Sequence, residues 1–71
     1  MNNQTDQRRE AFVVKIGERF FYRSTKQRVL TSFSLAGAEL FLTLEVAVRV
    51  QLHMRARGKK ADIFKIQIQE E

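Results

Sequence analysis

Between Leu44 and Ala56 every even-numbered residue is apolar and every odd-numbered one is polar or alanine. That is the period of a half-buried strand. Globular strands usually hold about 3–10 residues, and one running from about Leu40 to Ala56 would extend roughly 55 Å. A compact domain of 71 residues has a radius of gyration of only about 11 Å, so such a strand would stick out of its own fold. The same letters fit a helix with both ends marked. Thr43 is a good N-cap, Glu45 stands in the first turn where the helix dipole favours a carboxylate, and Gly58 suits the position just past the end. Arg55 and Arg57 lie in the last turn, where cations are favoured, and Glu45 and Arg49 are spaced i,i+4 in the better orientation. The boundaries favour the helix.

A helix turning about 100° per residue divides the apolar residues into two stripes. Ala47, Val50 and Met54, with Val46 beside them, form one face at i, i+3 and i+7. Leu44, Val48 and Leu52 form a second at i, i+4 and i+8. Glu45 and Arg49 separate the stripes on one side, Gln51 and Arg55 on the other. One small sheet buries one stripe fully, which leaves the Leu44/Val48/Leu52 row for a partner or for cover by the N-terminal tail or the "LAGAELF" segment of the same chain.

The rest of the chain reads as strands. Residues 1–10 hold no apolar residue after Met1, as expected of a flexible polar tail, so residues 11–71 are expected to form the domain. "AFVVKIGERFFYR" predicts two strands around a turn at Gly17-Glu18, where Gly-X suits a type II′ hairpin. Phe12, Val14 and Ile16 share one face, opposite Val13 and Lys15. "STKQ" is a polar turn; a third strand follows with Val29, Thr31 and Phe33 on one face, broken near Gly37. After Gly58 a last strand alternates Phe64, Ile66 and Ile68 against Lys65 and Gln67. The expected fold class is α+β: one antiparallel sheet with one helix packed across it, in the order β-β-β-α-β.

Chemistry-bearing residues are few. There is no Cys and a single His, so there is no disulfide framework, no thiolate metal site, and no zinc site without carboxylate help or a second chain. His53 falls on the solvated row of the helix, no serine or threonine has a neighbouring base, and the carboxylates show no paired spacing. The reading is of a non-enzyme without cofactor, metal or small-molecule substrate. No apolar run approaches the ~20 residues of a membrane span, and the N-terminus lacks the apolar run of a signal peptide. A cytoplasmic location is expected.

The segment from Phe41 carries a recognisable spacing: Phe41, Thr43-x-Glu45, Ala47-x-x-Val50-x-x-x-Met54, Gly58 and Ala61. It resembles a pattern in small bacterial and phage modules in which a two- or three-stranded sheet is followed by a helix across it and a closing strand. The likeness covers residues 12 to 68 and is one of fold. One group it resembles is the small accessory proteins of phages and mobile elements, anti-CRISPR proteins among them. That resemblance implies an inhibitor acting inside a bacterial host on a CRISPR-Cas nucleoprotein complex. The other is the integrase-arm type of DNA-binding domain, from which the closing strand and the shortage of exposed Arg and aromatic residues depart.

Two functional readings follow. In the first, the protein binds another protein or a second copy of itself through Leu44, Val48 and Leu52, flanked by Gln51 and Arg55. Two copies meeting there would form an isologous homodimer. In the alternative, a DNA- or RNA-binding module uses the basic clusters Arg23, Lys26 and Arg28 at the polar turn and Arg57, Lys59 and Lys60 at the helix end. The net charge of +5 suits acidic partners and argues against mimicry of DNA, though it is also an ordinary value for a soluble small domain.

Overall fold

The computed structural model describes residues 8–69. Strand β1 spans Arg8–Ile16, β2 Arg19–Ser24 and β3 Val29–Ser32; a 3-10 turn covers Leu35–Gly37, helix α1 spans Leu44–Ala56, and β4 spans Ala61–Gln69. The fold is α+β, with the strands and helix in the expected order. Two boundaries move: the third strand ends at Ser32, so that Phe33, expected on it, lies beyond it and is exposed, and Arg8, Arg9 and Glu10, expected in the tail, are strand. They carry no apolar signal because their order comes from the partner strand, through the pairs Arg8↔Gln69, Arg9↔Ile68 and Glu10↔Gln67. The remainder of the expected tail lies outside the described residues.

The strand order is β3-β2-β1-β4, all neighbours antiparallel. The closing strand therefore returns to the edge of the sheet beside β1, in an unbroken ladder from Arg8↔Gln69 to Ile16↔Ala61. On its other side β1 meets β2 only near the hairpin, at Lys15↔Phe20 and Ile16↔Arg19. The hairpin turn has Gly17 at φ +64° and no positive φ at Glu18, as a type II′ turn requires. Farther along, the chain before the helix inserts itself. Phe12 and Phe41 exchange backbone hydrogen bonds of 2.7 and 2.8 Å, and the Glu39 N–H reaches the Phe21 carbonyl at 2.9 Å.

The segment from Leu44 to Ala56 is helical throughout. Thr43 caps it, its Oγ1 accepting from the Val46 N–H at 3.3 Å. At the other end Lys59 N–H bonds the Met54 carbonyl and Gly58 N–H the Arg55 carbonyl, both at 3.0 Å, with Gly58 at φ +81°. Those are the two bonds of a Schellman motif, which satisfies carbonyls the helix leaves unpaired.

The helix lies on β1 and β4. Val14, Phe21, Met54 and Ala61 form the core beneath it, with Ile16, Val29, Phe41, Val50 and Ile63 packed around. Since Ala61 and Ile63 face the helix, alternation turns Phe64, Ile66 and Ile68 to the opposite face. The Lys15 ammonium agrees: it lies 5.6 Å from the centroids of both the Phe20 and Phe64 rings, on that opposite side. Val13 also faces away from the helix, yet it is buried.

Candidate functional site

Among the described residues the buried core consists of Ala11, Val13, Val14, Phe21, Ala47, Met54 and Ala61, three of them alanines. Larger apolar side chains lie outside it. Leu44 is 51% exposed and Leu52 57%, with Leu42, just before the cap, at 65%. Val48, between Leu44 and Leu52 on the same row, is half-buried. The helix thus turns Ala47, Val50 and Met54 to the sheet and holds the Leu44/Val48/Leu52 row along its outer flank, as the spacing predicts, whereas Val46, expected beside the inner stripe, is exposed.

Two residues expected beside that row have an intramolecular task. Gln51 Nε2 and Arg55 Nε both donate to the Ala61 carbonyl, at 3.0 and 3.1 Å, and Arg55 also approaches Asp62 at 3.7 Å. They clamp the helix to the start of β4. The apolar row runs next to this clamp, on the β4 side of the helix. Leu44 and Leu52 are therefore carried on a helix fixed by Met54 below and by Gln51 and Arg55 at the side, so a partner would meet a preformed surface.

The basic residues divide between two places. Arg57 Nη1 donates to the Thr25 carbonyl at 2.9 Å, which brings the helix C-terminus against the turn between β2 and β3. That turn is held by Thr25, whose Oγ1 accepts from the N–H groups of Gln27 and Arg28 at 3.3 and 3.1 Å. Ser24, Thr25, Lys26, His53 and Arg57 line an open cleft of about 520 Å³ there. Two cations, an imidazole and two hydroxyls face it, with no carboxylate among the described lining residues. Arg28 is exposed on the same turn; Arg23 stands just before it, its guanidinium 5.4 Å from the Tyr22 ring centroid. Lys59 and Lys60 are exposed at another place, beside the β1–β2 hairpin, where Gly17 N–H donates to the Lys60 carbonyl at 3.3 Å.

Ser24, Thr25 and His53 were not expected at this cleft. The i,i+4 spacing of His53 and Arg57 does place them on one side of the helix, but nothing local shows that the turn after β2 packs against that side. No helix among the described residues is long and apolar enough to cross a membrane. No protein-family model, curated protein or solved structure matches the chain.

Proposed function

We propose that this protein is a non-catalytic binding module that docks the Leu44/Val48/Leu52 row on another protein. The observation that carries this reading is the exposure of Leu44 and Leu52 on a helix whose inner face is already filled by Ala47 and Met54. Covering a fully exposed leucine is worth about 1.5–3 kcal/mol, so a partner with a matching apolar groove gains roughly half of that at each end of the row, where Leu44 and Leu52 are 51% and 57% exposed. Arg49, exposed next to the row, suits a groove with an acidic rim. The resemblance to anti-CRISPR-type accessory proteins implies a nucleoprotein complex of host defence as that partner. There the row would meet protein while the Lys26/His53/Arg57 cleft met nucleic acid.

The test is a photo-crosslinking residue introduced at position 52, and at exposed Glu18 as control, in the cells that make the protein. Position 52 should give a discrete adduct that position 18 does not. Identical adducts from both positions, or none from either, would count against docking by the row.

The pairing of Lys26 and Arg57 in the cleft, with no carboxylate among its described lining residues, favours a second reading, a module binding DNA or RNA through phosphate contacts. A steep fall of duplex or single-strand affinity with rising salt would support it. Lys26→Ala and Arg57→Ala should then each make that slope shallower.

A further inference from the structure

We infer that β4 pairs antiparallel with β4 of a second copy of this chain, with Ile66 on the two-fold axis. This contact rests on the strand edge alone, and docking of the helix row on another protein is not among its premises. β4 is the sheet's edge, nine residues long, and its ladder with β1 has no register shift. Proteins usually guard such an edge with proline, a bulge or an outward charge. The chain contains no proline. Both charges on β4 have partners within the chain: Lys65 Nζ lies 3.5 Å from Glu10 Oε2 on β1, and Asp62 lies 3.7 Å from Arg55.

The hydrogen bonds at the start of the strand show which backbone groups face outward. The Lys60 carbonyl accepts from Gly17 at the β1 side, whereas the Ala61 carbonyl accepts from Gln51 and Arg55 of the helix. In an antiparallel strand the direction alternates residue by residue. The N–H and C=O groups of Ile63, Lys65 and Gln67 therefore point away from β1, and no described strand lies beyond them. The Ala61 carbonyl already has its donors, so a new ladder begins at Ile63.

Register selects the occupant. A two-fold axis normal to the sheet sets each residue opposite one on the same face. Centred on Lys65, it would oppose two lysines, which is destabilising. Centred on Phe64, it would set Asp62 against Ile66. Centred on Ile66, it opposes Phe64 with Ile68 and Ile66 with itself on the face away from the helix, and joins the Lys65 and Gln67 backbones. Phe64, 48% exposed, then gains an apolar neighbour, and between Ile63 and Gln69 no like charges stand directly opposite. A strand from an unrelated protein supplies the backbone bonds but not this matched row. The product is an eight-stranded sheet with both helices on one face, and because each Leu44/Val48/Leu52 row lies on the β4 side of its helix the two rows face each other across the axis.

The chain has no cysteine, so Ile66→Cys reports the register directly. Opposed residues at a position without backbone exchange have Cα atoms about 4.5 Å apart, within disulfide reach. Mild oxidation should link Ile66→Cys into a species of twice 8.3 kDa, while Phe64→Cys links far more slowly. Wild type should sediment as a concentration-dependent dimer. Lys65→Pro, which removes an outward N–H, should sediment as a folded monomer by far-UV circular dichroism. The inference is overturned by wild type that stays monomeric with Ile66→Cys unlinked, or by faster linking at Phe64→Cys. A dimer unaffected by Lys65→Pro would place the contact elsewhere and overturn it too. So would loss in Lys65→Pro of a foreign partner held by a monomeric wild type, since the edge then takes another protein's strand.

Discussion

Arg57, the C-cap residue of the chain's helix, donates from Nη1 to the carbonyl of Thr25, 32 residues away in sequence, at 2.9 Å. This bond fastens the helix end to the β2–β3 turn and sets one wall of the cleft that Lys26 and His53 share. A net hydrogen bond of this kind is worth about 0.5–1.5 kcal/mol. Arg57→Ala should lower unfolding stability by about that amount in urea titration and also weaken retention on heparin. Lys26→Ala should weaken retention with stability unchanged. Equal retention of both variants and wild type would show that the cleft does not attract anions.

The two stripes of the helix should respond oppositely to truncation. Met54 is fully buried, and Met54→Ala is expected to cost about 2–5 kcal/mol, enough to unfold much of the population in a domain this small. Leu52→Ala, on the exposed row, should stay within about 0.5 kcal/mol of wild type. Chemical denaturation of the two variants side by side checks this. A large loss in Leu52→Ala would mean that the row is part of the monomer's own core.

Both helix ends should be sensitive. Thr43→Ala removes the side-chain acceptor for Val46 N–H and should cost about 1 kcal/mol. Gly58→Ala puts a Cβ on a residue at φ +81° and should cost about 1–2 kcal/mol. Thermal melts followed at a helix-sensitive wavelength report both losses, and a variant as stable as wild type would contradict the assigned cap.

The helix was legible because its signals are local: a cap, a first-turn carboxylate, a terminal glycine, and apolar spacing that matches the face Ala47, Val50 and Met54 present to the sheet. The hairpin at Gly17-Glu18 was legible for the same reason. What sequence concealed depends on long-range pairing. Arg8 to Glu10 became strand only because β4 is long enough to pair with them. Alternation in Phe64, Ile66 and Ile68 marked a strand but not which side the helix takes, and Ala61 and Ile63 took it. Gln51 and Arg55 were expected to rim an outer surface, and nothing within the helix shows that the Ala61 carbonyl lies within their reach. The exposure of Leu44 and Leu52 was foreseeable because a helix on one sheet buries a single stripe.

The most direct measurement of the central claim is the size of the assembly that carries this chain in extracts of the cells that make it. Wild type should be compared with a Leu44→Glu/Leu52→Glu variant whose fold is verified by circular dichroism. Wild type should travel with a partner protein, and the variant should be released to a smaller species. A folded variant travelling at the same size as wild type would contradict the claim that the outer row of this helix is a docking surface.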